Sequence, residues 1–443
     1  MNRELLQGAI RPQLLKLALP LFLGSLLQQL YNTVDSLAVG YFLGTTAFAS
    51  TGVSGTVMNL FIFVLNGFCV GASILFGQKY GAGLSKEFRQ CVFTALAAGV
   101  AITLVFSALS ISLLRPLLRL IQTPEELIPY CRSYLHIILG GLIFTFLYNL
   151  FSAVLRSMGD TRAALVFLAV SAVLNIVLDI VLMLLWRTIA AAAAATIIAQ
   201  AVAALCAFLY LRRRYPDYLF SRADVGFYPV LLTQSLRLGL VSALHQSSLY
   251  IGKLLVQGAV NSLGISAIAA FTAVSRIEGL LGSFGDSGSQ SISIHISQNV
   301  GVGNVQRVHE AFRKGLGVNH LMCVILISLS YLFAPQLVNL FLNGADAAAL
   351  ADGVRYMRTA AFFYIFCFSG YAFVGYFRGT GHVLIPFIAT SAQLTWRVVF
   401  SYLLAARMGL VAVAWATGTG WIVIFIIHSC CYFATKKKGL RAM

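Results

Sequence analysis

Long apolar runs separated by short polar segments constrain this chain more than any other feature of its sequence. A run of about 20 apolar residues can cross a bilayer as a helix. Hydrophobic residues fill 59% of the 443 positions and charged residues only 10%, against about 25% charged in soluble domains. The sequence therefore predicts an all-α polytopic membrane protein. Gly, Pro and charged residues divide it into twelve spans, near 14–42, 47–78, 88–114, 128–155, 162–186, 188–211, 231–262, 265–297, 310–334, 353–377, 384–406 and 409–434.

The basic residues are distributed unevenly between the two sides that these spans define. With the N-terminus on the inner side, 21 of the 31 Lys and Arg residues fall on that side, 7 on the other, and three within spans: Lys253, Arg276 and Arg397. Cytoplasmic loops of membrane proteins carry such an excess. We therefore expect both termini in the cytoplasm. The net charge of +17 is then explained by topology and by attraction to the lipid bilayer, and no nucleic-acid partner is expected.

The chain contains an internal repeat. The longest polar stretch, 212–230, lies near the midpoint, and several landmarks return 220 to 222 residues later. The matches are "QKYGAG" at Gln78 with "QNVGVG" at Gln298, "LGTTAFAS" at Leu43 with "LGISAIAA" at Leu263, "RSMGDT" at Arg156 with "RGTGHV" at Arg378, and Thr196 with Thr417. Six spans per half keep both halves in one orientation, related by a pseudo-two-fold axis along the membrane normal. The predicted organisation is an N-lobe at 1–211, a cytoplasmic linker at 212–230, a C-lobe at 231–434 and a basic cytoplasmic tail at 435–443.

Two carboxylates lie inside apolar spans. Asp35 belongs to "LLQQLYNTVDSLAVGYFLG" and Asp179 to "SAVLNIVLDIVLM". A charge at membrane depth costs a few kcal/mol, so such a residue is a functional candidate by default. The alternative is a helix-end Asp that reaches the headgroups. Both residues, and Thr196 in the neighbouring span, lie about seven or eight residues from the outer surface, which is roughly 10 Å at 1.5 Å per residue.

Asp35, Asn175, Asp179 and Thr196 together suit a small cation. Asn175 precedes Asp179 by one helical turn, so the two share a face. Oxygen ligands fit Na⁺, and two neighbouring carboxylates do not easily both stay ionised, so one of them tends to hold a proton. We expect a coupling site for H⁺ or Na⁺ and no other cofactor. The alternative is hydrogen bonding between helices with no role in transport.

Other classes of protein are disfavoured. The sequence has no H-E-x-x-H, serine elbow or P-loop motif, and its seven histidines show no metal-ligand spacing, so neither an enzyme nor a metal site is expected. The polar stripes do not form the symmetric ring or filter of an ion channel.

The motifs resemble those of the multidrug and toxic compound extrusion (MATE) family, nearest its bacterial DinF-type branch. They are "LPLFLGSLLQQLYNTVDSLAVGYFLG", "QKYGAG", "LRSMGDTR", "LNIVLD", "AVSRIEG" and "SQNVGVG". The resemblance implies two six-helix lobes around a central cavity in the bacterial inner (plasma) membrane. It implies an antiporter, which exports drug-like, often cationic compounds against H⁺ or Na⁺ by alternating access. The family's N-lobe cation site carries over to Asp35, Asn175, Asp179 and Thr196, and its helix-bending proline to Pro20. We expect a monomer with small organic molecules as substrates.

The sequence allows alternative interpretations of the substrate cavity and of the C-lobe. Aromatic faces suit flat organic cations. The C-lobe lacks the second carboxylate pair of some relatives and offers Lys253, Arg276 and Arg397, with Glu278 and Asp286 as possible partners. These bases are either charge-paired structural residues or part of a cavity wall that tolerates acidic or zwitterionic substrates. For the whole protein, the alternative function is a lipid-linked oligosaccharide flippase. The candidate cavity residues are Gln28, Tyr31, Asn32, Phe61, Tyr148, Asn149, Lys253, Phe284, Tyr364 and Tyr371.

Overall fold

A computed structural model describes residues 4–121, 123–342 and 346–438, and this part of the chain is almost entirely helical, without a strand. The predicted tail lies partly outside these ranges, at 439–443, as do Arg3 and Arg441, which were counted among the inner basic residues. The α-helices are α1 Ile10–Leu43, α2 Thr45–Ala82, α3 Ser85–Ser112, α4 Leu114–Leu120, α5 Ile128–Gly140, α6 Leu142–Ser157, α7 Thr161–Trp186, α8 Ala190–Arg214, α9 Pro229–Asn261, α10 Ile265–Gly301, α11 Val305–Leu332, α12 Ala334–Leu342, α13 Ala347–Ala361, α14 Tyr364–Gly379, α15 Leu384–Met408 and α16 Leu410–Lys438.

Every predicted span corresponds to a helix or to a bent pair of helices. Within the described residues, eight helices are individually long and apolar enough to cross a membrane, and two bent pairs bring the number to ten. The helices α9 and α15, of 33 and 25 residues, are not among these ten but occupy the predicted seventh and eleventh spans. The prediction of an all-α polytopic fold is thereby confirmed.

The fourth and tenth spans were predicted as single helices, but each of them is a pair of helices with a bend between them. The axes of α5 and α6 differ by 48°, and those of α13 and α14 by 58°. The first break falls at Gly140 and Gly141, where glycine weakens the helix, and a Cβ at Gly141 would overlap Ile197 of α8. At the second break, the ring of Phe363 packs so closely on Gly418 of α16 that a Cβ there would overlap it. Both bends therefore follow from close packing against the last helix of each half.

The described chain forms two compact units. The N-terminal unit comprises Pro20–Ala243, and the C-terminal unit comprises Met1–Leu19 together with Leu244–Met443. The division falls inside α1, directly before Pro20, and inside α9. Each of these helices therefore contributes its first segment to one unit and the remainder to the other.

Glycines allow close helix packing in the N-terminal unit. A Cβ at Gly71 of α2 would overlap the backbone of Leu238 and Gly239 in the first part of α9, and one at Gly99 of α3 would overlap the Phe146 ring. Without a side chain at Gly71, α2 and α9 approach to backbone contact, whereas the space at Gly99 is filled by the Phe146 ring of α6.

The segment after α8 is tied to α3 by a charged contact. Arg89 Nε donates to Asp224 Oδ2 at 2.9 Å, and the backbone N–H and hydroxyl of Ser221 donate to the same oxygen. Burial opposes ionisation of Asp224, but the hydrogen bonds from Ser221 and Arg89 outweigh it, so the pKa of this carboxyl lies below its usual value. The segment is thus an ordered part of the N-terminal unit.

In the C-terminal unit, the N-terminal segment is held by one arginine of α11. Arg307 donates to the backbone carbonyls of Leu5, Gln7 and Gly8 at 3.0–3.1 Å. Beyond it, Ile10 and Leu14 join a buried cluster with Phe312 and Tyr376. The start of α1 is therefore anchored by both hydrogen bonds and apolar burial.

We predict that Gly71→Ala destabilises the purified protein and that Gly55→Ala, on the same helix, does not. Overpacking a tight contact costs about 1–3 kcal/mol, and the atoms facing Gly71 are backbone atoms that cannot rotate away. A Cβ at Gly55 meets nothing within 4 Å. Thermal unfolding in detergent should show a lower midpoint for Gly71→Ala alone. Equal midpoints for both variants would contradict the packing described here.

Candidate cation site

The helices α7 and α8 bring Asn175 and Thr196 together. The Asn175 Nδ2 group donates to Thr196 Oγ1 at 3.3 Å. The alanine-rich start of α8 allows this approach, because Ala191, Ala192 and Ala193 are fully buried and add little bulk. Sequence depth alone predicted that these two spans would place their polar side chains at one level, and the hydrogen bond places them in contact.

Asp179 and Asp35 complete the group. Asp179 lies one turn after Asn175 on α7, and both side chains are 1% exposed. Asp35 enters from α1, and its carboxyl group lies close enough to the Asp179 carboxyl to interact with it electrostatically. Three helices of the N-terminal unit thus contribute two carboxyls, one amide and one hydroxyl to a single buried location.

The oxygens of this site are acceptors without donors. Within the described residues, Asp35 Oδ1, Asn175 Oδ1, both carboxyl oxygens of Asp179 and Gln200 Oε1 are buried and accept no hydrogen bond. Gln200 lies one turn beyond Thr196 on α8. A buried acceptor that lacks a partner costs about 1–3 kcal/mol, and more when it is charged. A proton or a small hard cation would satisfy these acceptor oxygens.

Tyr134 of α5 belongs to the same surroundings, although it is absent from the predicted set. Its ring is buried, and it lies close enough to Asp35, Asp179 and Tyr31 to interact with them electrostatically. A tyrosine near the end of a span is ordinary in membrane proteins. Its sequence position therefore carried no signal, and only the packing of α5 against this region reveals it.

The other predicted cavity residues of this unit lie in mixed environments. Gln28 and Asn32 are exposed, while Tyr31 is half-buried beside the carboxylates. The remaining three residues make contacts within the unit: the Phe61 ring lies 6.5 Å from the Phe106 ring, Tyr148 packs with Ala203 and Ala204, and Asn149 Nδ2 donates to the Thr145 carbonyl at 2.8 Å. Their role in a cavity stays a prediction.

The predicted residues of the C-terminal unit gather around Glu278. Tyr364 Oη donates to Glu278 Oε1 at 3.3 Å, and Lys253 interacts with this carboxylate electrostatically. Phe284 packs on the main apolar cluster of the unit, and the Tyr371 ring lies 6.2 Å from the Phe368 ring.

The three bases of the C-terminal unit have different surroundings. Arg276 is exposed, and Arg397 interacts with Glu278. Asp286, expected as a possible partner of these bases, interacts electrostatically with Arg378.

Comparison with known proteins identifies the family. The family model described as MatE matches residues 20–181 and again residues 242–403. The chain belongs to the MatE family. The second match begins and ends 222 residues after the first, which confirms the internal duplication. Members of this family are transporters that need no cofactor and are not enzymes.

Individual relatives agree with this assignment. The chain is 29% identical to the probable multidrug resistance protein YpnP of Bacillus subtilis, over 98% of this chain and 96% of that protein. It is 25% identical to the probable multidrug resistance protein NorM of Thermotoga maritima, over 98% and 94%. A crystal structure of MATE in the bent conformation superposes with a TM-score of 0.91 at 23% identity, covering 98% of both chains. The two six-helix lobes of the MatE fold are therefore present.

We predict that Thr196→Val weakens ion binding to this MatE protein without unfolding it. Valine keeps the shape but removes the hydroxyl that orients Asn175, and a hydrogen bond is worth about 0.5–1.5 kcal/mol, so affinity should fall by up to about tenfold. Thr103→Val is the matched control, because its hydroxyl donates only to the Gly99 carbonyl of its own helix, at 2.7 Å. Binding of ²²Na⁺ and pH titration of tryptophan fluorescence would measure the effect. Equal affinities in both variants would refute the orienting role.

Proposed function

We propose that this protein is a secondary active antiporter that exports drug-like, often cationic organic compounds in exchange for H⁺ or Na⁺. The observation that carries the proposal is the cluster of buried acceptor oxygens on α1, α7 and α8, which includes both carboxylates and has no donor among the described residues. Its charge requires a proton or cation, and its residues come from three separate helices.

The chemistry of coupling follows from the two carboxylates. Two ionised carboxyls at this distance repel each other in a medium of low dielectric constant, so the pair holds at least one proton or one Na⁺. An ion that is taken up from one side and released to the other does work on the protein. Each elementary charge that crosses 100 mV contributes about 2.3 kcal/mol. Asn175 and Thr196 act as neutral ligands and position Asp179.

Pro20 supports an alternating-access mechanism. Proline cannot donate the backbone hydrogen bond to the residue four positions earlier, which weakens the helix at that point. The helix α1 is continuous across Pro20, and the division between the two compact units falls directly before it. We propose that α1 bends at Pro20 when the ion at Asp35 is exchanged.

We infer the substrate class from the relatives and the orientation in the membrane from the distribution of basic residues. YpnP and NorM are named as probable multidrug resistance proteins, and we propose the same activity here. We also propose a monomer in the bacterial inner membrane with both termini in the cytoplasm, and the lobe and linker boundaries given above. The flippase alternative needs a cavity rich in bases, whereas the carboxylate pair of the N-terminal unit favours coupling to a cation.

Neutralising either carboxylate should abolish coupled export. We expect Asp35→Asn and Asp179→Asn to insert and fold, because removal of a charge lowers the cost of a span, but to lose ion-driven efflux of a cationic dye from energised vesicles. Asp217→Asn is the matched control, since Asp217 is an exposed aspartate outside the spans. Separate proton and sodium gradients identify the coupling ion. Full activity in both Asp35→Asn and Asp179→Asn would end this proposal.

The neutral ligands should matter less. Asn175→Ala and Thr196→Ala are expected to reduce the efflux rate without abolishing it, because water can replace a neutral oxygen ligand in part. Lys253→Ala should preserve coupling and change substrate preference at most, since it lies outside the carboxylate cluster. Loss of the proton or sodium dependence in Lys253→Ala, at matched expression, would place coupling in the C-terminal unit instead.

A further inference from the structure

The duplication gives the cation site a counterpart in the C-terminal unit. The helices α7 and α15 correspond along their whole length, because their flanking residues match 222 positions apart. Gly159 and Gly381, with φ of 90° and 84°, precede the two helices, and Arg187 and Gly409, with φ of 50° and 62°, follow them. No insertion separates these landmarks, so positions inside the helices can be compared one by one.

The helices of the counterpart carry basic residues and no carboxylate. Arg397 lies 222 positions after Asn175, and Ser401 lies 222 positions after Asp179. Thr417 of α16 occupies the place of Thr196. The helix α9, which corresponds to α1, carries Lys253 and no acidic residue, and α15 and α16 have none either. The set of acceptors in one unit is thus replaced by a set of donors in the other.

A single carboxylate from α10 faces these bases. Glu278 accepts a hydrogen bond from Tyr364 and interacts electrostatically with both Arg397 and Lys253. Neither base forms an ion pair within 4.0 Å among the described residues. Two positive charges therefore share one negative charge, and of the two bases Lys253 is exposed and Arg397 is half-buried.

Unused donors point to the chemistry of the missing partner. Arg397 Nε is buried and lacks an acceptor among the described residues, and so does the fully buried hydroxyl of Ser401, one turn further on the same face of α15. The nearby Tyr356 hydroxyl lies 3.4 Å from Thr417 Oγ1 and also interacts with Arg397 and Glu278, but it leaves Arg397 Nε without an acceptor. An excess positive charge with free N–H and O–H donors matches an oxyanion, and arginine matches a carboxylate with particular geometric precision.

We propose that Arg397, Lys253 and Ser401 form a subsite for the carboxylate group of a zwitterionic or acidic organic compound, with Glu278 holding the two bases in place. This inference depends on the proposed export function in one respect, since it takes the ligand to be a transported compound. The alternative, a charge-paired structural cluster, leaves two donors without a partner.

Two dyes that differ only at the carboxyl group test the subsite. Rhodamine 110 carries a free carboxylate, and rhodamine 123 is its methyl ester. Fluorescence anisotropy with the purified full-length protein in detergent should show tighter binding of rhodamine 110. Arg397→Gln and Lys253→Met should each weaken rhodamine 110 by roughly tenfold or more, as expected for loss of a charged hydrogen bond, and leave rhodamine 123 within about twofold. Arg407→Gln, an exposed arginine at the end of α15, is the matched control.

The dye-binding results test the subsite independently of the efflux results that test the coupling mechanism. Equal weakening of both dyes, no weakening of either, or no preference in the wild-type protein would overturn the subsite. If Arg397→Gln lowers the unfolding midpoint, Arg397→Lys and Lys253→Met carry the test: the former should keep part of the preference and the latter should lose it. Asp35→Asn should retain the preference for rhodamine 110 while losing efflux. Retained efflux in that variant would defeat the proposed coupling and leave the subsite intact.

Discussion

The cost of an unpartnered polar group at membrane depth is the constraint on which the rest of this structure depends. Helices satisfy their own backbone, and many hydroxyls in the spans donate back to their own helix, as Thr94 does to the Gln90 carbonyl and Thr103 to the Gly99 carbonyl, both at 2.7 Å. A few buried serine hydroxyls have no partner, but they carry no charge. Against this background, the two carboxylates of the N-terminal unit stand apart, because only a positive charge or a proton can compensate them.

Small residues make that arrangement possible. Alanines at the start of α8 add little bulk and allow its axis to approach that of α7 closely. Short side chains such as Asn175 and Thr196 can then meet directly across two helices. With larger residues at this contact, apolar packing would separate Asn175 from Thr196, and their hydrogen bond would be lost. The apolar sequence around the site is therefore as necessary to it as the acidic residues.

The sequence predicted the spans well because their signals are local. Apolar length and the positions of Gly, Pro and charged residues place most helix ends within a few residues. The equal depth of Asp35 and Asp179 was also predictable from helical rise, whereas their contact depends on which helices pack together. The bend at Phe362 and Phe363 was not, because nothing in this apolar run marks it and its cause is a contact with Gly418, more than fifty residues away. Tyr134 and the approach of Glu278 to Arg397 likewise depend on which helices pack together, and depth alone does not specify that.

Duplication explains how one protein can carry two sites of opposite charge on the same scaffold. In the proposed mechanism a single carboxylate pair is sufficient for coupling, and the corresponding helices α9, α15 and α16 of the second copy carry no acidic residue, which lowers their cost of insertion. Arg397 and Lys253 add that cost back, and Glu278 compensates only one of them. Two bases retained at such a cost suggest that they bind a ligand. In the proposed mechanism, the N-terminal unit binds the ion, and the C-terminal unit recognises the carboxylate of a substrate. The two sites attract groups of opposite charge, so the carboxylate of a substrate does not compete with the coupling cation for the same site.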